Sequence, residues 1–143
     1  MSIFPPLDPT TNATVIEMRV RFFETDLMGI VHHASYLTYF EAGRVEWLRR
    51  RGVRYADWAA SGIHLPVVEA QLKYQSPARF DDELVVETRL TELRAVSIKY
   101  EYAITRDGAA IAQGMTRLAC IDAAHKLLRI PEEMRVVLMS PER

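Results

Sequence analysis

A chain of 143 residues that is 49% apolar can fill one hydrophobic core and hardly two, so a single domain over residues 1–143 is expected. A formal net charge of −1 with no long Lys/Arg block argues against nucleic acid or an anionic membrane as the main partner, leaving a small molecule or another protein. Met1 to Ala13 has neither a basic n-region nor an apolar h-region, and no apolar run approaches the ~20 residues that cross a bilayer, so a cytoplasmic location without membrane insertion is expected.

Residues 1–14 read as an extended lead-in punctuated by Pro5, Pro6 and Pro9. Ile16, Met18, Val20 and Phe22 then alternate with Glu17, Arg19, Arg21 and Phe23, the period of a half-buried strand. From Tyr36 to about Arg50 the period becomes helical. Tyr36, Leu37, Phe40, Gly43, Trp47 and Leu48 form one stripe, and Glu41, Glu46, Arg49, Arg50 and Arg51 lie largely outside it. Ser35 is a candidate N-cap, with His33 or Ala34 as alternative starting points, and Gly52 is placed to end the helix. A short helix over Tyr55 to Ala60, closed by Gly62, is expected next.

Strand patterns follow. Val68, Ala70, Leu72 and Tyr74 alternate with Glu69, Gln71 and Lys73, and after a turn at Pro77 a second strand covers Leu84 to Leu93. Val96, Ile98, Tyr100, Tyr102 and Ile104 alternate with polar or small residues, and Asp107-Gly108 is a hairpin signal leading into Ala109 to Ile121. That segment alternates less strictly, as expected of a strand buried on both faces. A turn at Asp122 to His125 leads to a last short strand, Lys126 to Ile130, and Pro131 opens a terminal helical turn. One long helix inserted after the first strand of an antiparallel sheet defines an α+β architecture in which the sheet wraps the helix. The single cysteine, Cys120, sits in an apolar stretch and reads as buried filler.

The chemistry concentrates in Glu24-Thr25-Asp26-Leu27-Met28-Gly29-Ile30-Val31-His32-His33-Ala34-Ser35-Tyr36, a polar turn running into the helix. It sets an acid, a glycine and two histidines beside helix N-terminal N–H groups, whose partial positive charge suits an oxyanion. A carboxylate next to such donors outlines a hydrolytic site. Read alone, Asp26 is as well explained as a turn former. Adjacent His32 and His33 lack the spacing of a metal motif, so no metal or other cofactor is expected. Tyr36, Tyr39, Phe40 and Trp47 read as core, with Tyr36 placed to touch substrate as well, and Glu41 with Arg44 as a pair on the helix.

Thr25-Asp26-x-x-Gly29-x-Val31-x-His33-x-x-Tyr36, with Glu41, Arg44 and Leu48 behind it and this order of elements, resembles hotdog-fold acyl-CoA thioesterases of the 4-hydroxybenzoyl-CoA thioesterase type, including the Tol-Pal-associated bacterial members. The resemblance runs from about Glu17 to Pro131. It implies a hotdog fold, an acyl-CoA substrate, Asp26 as the catalytic carboxylate acting as nucleophile or general base, and the backbone N–H of His33 as donor to the thioester carbonyl. It further implies substrate contacts around Gly29, Val31 and Tyr36, and coenzyme A bound near a subunit interface, where Ser97 matches a family position. Val96 stands where some members have lysine, leaving Arg94, Lys73 and Arg79 as candidates for the phosphates. Glu41 is the second candidate carboxylate, since a related class uses a helix glutamate. The rival readings are a hotdog hydratase or dehydratase using His33 and Glu41, and a non-catalytic acyl-CoA-binding module. A homodimer or homotetramer is expected, through strand edges and the Val96 to Ile104 stripe, because one helix covers only one face of a curved sheet.

Overall fold

In the computed structural model, which describes residue 7 and residues 12–143, the first strand begins inside the expected lead-in. Residues 1–6 and 8–11 of the lead-in lie outside the described residues. Strand β1 (Ala13–Arg19) buries Thr14 and stops short of the predicted alternation, because Phe22–Glu24 coil into a single 3₁₀ turn that leaves Phe22 and Phe23 exposed. Asn12 anchors the start: its side chain donates to the Leu90 carbonyl and accepts from the Leu90 N–H at 3.2 Å, while the indole N–H of Trp47 donates to its carbonyl at 2.8 Å.

Helix α1 (Ser35–Arg49) and short helix α2 (Tyr55–Ala60) follow, then β2 (Val67–Tyr74), β3 (Glu83–Leu93), β4 (Ser97–Arg106), β5 (Ala109–Ala119) and α3 (Glu132–Leu138). All five strands pair antiparallel in the order β1-β3-β4-β5-β2. Asp107 at φ +50° and Gly108 at φ +81° form the two-residue turn between β4 and β5, the left-handed geometry that matches strand twist. Gly52 at +86° and Gly62 at +88° close α1 and α2 where the sequence places them.

The buried face of α1 is Tyr36, Tyr39, Phe40, Gly43, Trp47 and Leu48; Leu37, one residue round the helix from Tyr36, turns outward. The helix backbone lies against β1 and β3, with Gly43 over Thr88 and Val86, and its large rings reach across to β4. Phe40 lies parallel to Tyr102 with ring centroids 4.1 Å apart, and Trp47 meets Tyr100 edge-on at 5.3 Å. The Val96 to Ile104 stripe is therefore not a contact surface, as the sequence suggested, because Ile98, Tyr100, Tyr102 and Ile104 are consumed beneath the helix. The exposed strand is instead β2, which lies at the sheet edge and has only Leu72 partly covered.

Two further expectations change. Lys126 to Ile130 forms no strand: Leu127 makes one isolated bridge to Ile121, while Leu128 N–H reaches the Cys120 carbonyl and Ile130 N–H the Ala95 carbonyl, both at 2.9 Å. The Asp122 carboxylate accepts from the N–H groups of Ala124 and Lys126, and His125 sits at φ +63°, so the turn steers the chain across the sheet end instead of along an edge. The terminal turn extends to a full helix, α3, because Met134 and Leu138 bury against the core. Cys120 is fully buried, and that burial pushes its thiol pKa up.

Helix and sheet approach closely because of two glycines. A β-carbon at Gly43 would collide with the Thr88 hydroxyl on β3, and one at Gly114 on β5 would collide with the Gln71 backbone carbonyl on β2 and with the Phe40 ring. The Gln71 carbonyl belongs to the paired backbone and cannot swing away. Gly114→Ala is therefore expected to cost roughly 1–3 kcal/mol by overpacking, read as a melting temperature several degrees lower in thermal unfolding followed by circular dichroism.

Candidate active site

The loop between β1 and α1 is a closed hairpin. Thr25 bridges to Val31, Asp26 N–H donates to the Ile30 carbonyl at 2.9 Å, and His32 N–H donates to the Glu24 carbonyl at 2.8 Å. Gly29, at φ +77°, makes its turn in a conformation that costs glycine little, and the Gly29 N–H returns to the Asp26 carbonyl at 2.9 Å. The far side is held by the β2–β3 connection, where Val31 N–H donates to the Ala78 carbonyl at 2.8 Å and Ile30 bridges to Arg79.

Asp26 sits half-exposed on this loop, and one of its oxygens, Oδ1, accepts the Met28 N–H at 2.8 Å. The turn-forming role is thus real, and it uses one oxygen only. The other has no hydrogen-bond partner among the described residues, and the neighbouring Leu27 and Met28 side chains are exposed.

His33 lies two residues before α1. Its carbonyl accepts the Tyr74 phenol at 2.9 Å, and its backbone N–H meets no acceptor among the described residues. The neighbouring Ala34 N–H is taken by His32 Nδ1 at 3.1 Å, and the two imidazoles stack with centroids 4.1 Å apart. Among the described residues no three His, Cys, Asp or Glu side chains converge as metal ligands. Ser35 does not cap α1. Ala34 occupies the cap position in a helical conformation, while Ser35 is the first helical residue and donates its hydroxyl to the Glu24 carbonyl at 3.1 Å.

The remaining candidates separate. Val31 and Tyr36 are core residues beneath the loop, Tyr36 edge-on to Tyr39 at 5.8 Å and to Tyr74 at 5.5 Å. Burial pushes the Tyr36 pKa up, hydrogen bonding with the Ala78 backbone partly opposing it, so Tyr36 is a neutral phenol. Ser97 starts β4 beside the far end of β3, away from the end of that strand nearest the loop. Glu41 is exposed on α1 and lines a pocket of about 330 Å³ with Arg44, Tyr55, Leu65 and Tyr100. Arg44 interacts with the Tyr102 phenol and makes no ion pair with Glu41 among the described residues. Of the basic candidates, Arg94 is paired with Glu92 at 3.2 Å, whereas Lys73 and Arg79 make no ion pair among the described residues.

The sequence reading passed over Glu24. Its carboxylate is buried at the foot of the loop, where it accepts from Arg21 N–H at 2.7 Å, from the Arg21 guanidinium at 2.9 and 3.2 Å, and from the Tyr39 phenol at 3.0 Å. Burial alone would raise its pKa, but these bonds outweigh burial and hold the carboxyl below its ordinary range. The only signal in the sequence was the spacing of Arg21 and Glu24, three apart across an expected strand end.

These elements define a hotdog fold with an acid-bearing loop at the start of its helix. The Thioesterase-like superfamily matches residues 20–138, and the chain belongs to it. The Thermus thermophilus protein TT1821 is 41% identical, with 87% of this chain and 95% of that one covered and a TM-score of 0.84. The DHNA-CoA thioesterase of Staphylococcus aureus is 27% identical over 87% of both chains, also at a TM-score of 0.84. The acyl-CoA thioester hydrolase YbgC of Escherichia coli O157:H7 is 29% identical over 106 residues, 73% of this chain and 79% of its own length. The protein is a thioester hydrolase of the hotdog fold. No helix among its described residues is long and apolar enough to cross a membrane.

Because the folded-state pKa of Glu24 is depressed, its contribution to stability is full above the unfolded glutamate value near ~4.3 and is lost as pH falls through the lower folded value. Hydrogen exchange of the loop amides, measured from pH 7 down to 3 and corrected for intrinsic rates, should show protection constant to about pH 4.5 and then falling.

Proposed function

We propose that the protein hydrolyses acyl-CoA thioesters to the free acid and coenzyme A, with Asp26 as the reacting carboxylate and the His33 N–H as donor to the thioester carbonyl. The observation that carries this reading is one closed loop presenting an unpaired carboxylate oxygen and an unpaired backbone N–H beside the positive end of α1. Attack on the thioester carbon, by the carboxylate itself or by water that it deprotonates, turns the carbonyl oxygen into an oxyanion. A fixed N–H at that oxygen contributes roughly 3 kcal/mol in comparable sites. The coenzyme A thiolate is a good leaving group, so the site needs no strong general acid. The hydratase reading is disfavoured because Glu41 lies eight residues beyond His33, about 12 Å along the helix direction, and opens onto a different pocket.

Gly29 leaves the loop surface bare for the substrate, and Val31 and Tyr36 form the floor beneath it. Arg79, bridged through its backbone to Ile30, and Lys73, beside Tyr74, take the coenzyme A phosphates in this reading. Ser97 serves the site of a second copy. The unpaired β2 edge, with Val67, Val68 and Tyr74 exposed, supports assembly into a homodimer or homotetramer. Sedimentation at micromolar concentration is expected to give at least twice the 16.4 kDa chain mass, and a lone monomer overturns that assembly.

Asp26→Asn keeps the Oδ1 contact and removes the charge. It is expected to slow acyl-CoA hydrolysis by about 10² to 10⁴ with little change in melting temperature. His33→Ala retains the N–H and should lose less than about tenfold, whereas His33→Pro removes the donor and should be nearly inactive while circular dichroism stays native. Parental turnover in Asp26→Asn rejects the carboxylate assignment. Loss in His33→Ala as deep as in Asp26→Asn would put the imidazole in the chemistry.

A further inference from the structure

The geometry points to Glu24 as a positioning residue for the reaction, the group that fixes where Asp26 and the His33 N–H stand relative to α1. This rests on the thioesterase reading above. Glu24 is 2% exposed, one of the few charged side chains buried among the described residues. All its polar capacity is spent on the segments that frame the loop. Its carboxylate binds the 3₁₀ turn through Arg21 and the second turn of α1 through Tyr39. Its backbone carbonyl takes the His32 N–H and the Ser35 hydroxyl, the residues just before His33 and at the first position of the helix. Asp26 follows two residues downstream. One residue therefore ties the outgoing strand, the returning loop and the helix, and the two reacting groups lie on the short spans between those ties.

The chemistry of the four donors requires an anion here. Every group facing the carboxylate is an N–H or O–H donor: the Arg21 backbone, both guanidinium nitrogens and the Tyr39 phenol. A glutamine of the same shape would turn its NH₂ toward one of these donors, leaving donor against donor in a buried position. The mismatch is relieved by moving the 3₁₀ turn or the Tyr39 phenol, or by releasing the exposed Arg21 guanidinium into solvent, and each of these loosens a tie that frames the loop. Reactions that depend on alignment lose rate rather than affinity when their groups are displaced by a fraction of an ångström to one ångström.

The test compares Glu24→Gln, Glu24→Asp and Tyr39→Phe with the parent, reading kcat and KM on an acyl-CoA panel well below each melting temperature, and deuterium uptake by the 24–35 segment. Expected are a kcat lower by about 10- to 100-fold in Glu24→Gln with KM within about threefold, partial recovery in Glu24→Asp, and a smaller kcat loss in Tyr39→Phe. Uptake should rise in residues 24–35 and stay parental in β3 and β4. A variant that melts earlier but keeps parental kcat and parental loop uptake shows a structural role only and overturns the inference. Should Glu24→Gln fail to fold, Tyr39→Phe and Glu24→Asp decide it by the same two readings, unchanged kcat and loop uptake in both counting against it. A parent inactive on every acyl-CoA would overturn the thioesterase reading instead, and the positioning role with it, even if loop uptake still showed Glu24 holding the segment.

Discussion

The seat of α1 on the sheet, against β1 and β3 with its rings reaching β4, is the constraint from which the shape of the loop follows. Phe40 over Tyr102 and Trp47 against Tyr100 fix the helix in two places along its length, and the missing side chains at Gly43 and Gly114 let it sink to the depth at which those rings meet. With the helix axis so fixed, the position of Ser35 is decided, and the loop from Glu24 must return to it in a set number of residues. The rigid packing costs something in return: the hydroxyls of Thr88 and Tyr100 lie under the helix with no partner among the described residues. That cost is small beside the aromatic surface that the same approach removes from water.

The parts of the fold that rest on local periodicity were legible in the chain itself. The stripe Tyr36, Phe40, Gly43, Trp47 and the alternation Ile98 to Ile104 appear as read, because each reports one face of one element. What periodicity does not carry is which face meets which. The β4 stripe looks equally apolar whether it faces a helix or a second molecule, so its assignment as a contact surface failed, while the polar and mixed β2 gave no sign that it would be the open edge. Lys126 to Ile130 alternates like a strand but is turned aside by Asp122, a side chain acting on backbone four residues on. Asp26 and His33, the residues proposed to act on the thioester, stand out in the sequence because the block that carries them is contiguous. Glu24 does not, because its importance comes from Tyr39, fifteen residues away, and from a burial that no local pattern predicts.

The start of α1 shows what stability the loop forgoes, which the proposed chemistry would put to use. Serine at the cap position would bond to a first-turn N–H and contribute about 1 kcal/mol to the helix. Here serine is one residue late: Ala34 stands at the cap without a side-chain acceptor, and Ser35 spends its hydroxyl on the Glu24 carbonyl. His32 takes up the Ala34 and Ser35 N–H groups at the positive end of the helix, while the His33 N–H beside them meets no acceptor among the described residues and Asp26 commits only one of its oxygens. A capped helix and a fully bonded aspartate would make a more stable turn with nothing left to offer a carbonyl group. Such an opened site keeps its shape only if something beneath it is over-determined, and in this fold that support is the ring of donors closing on Glu24.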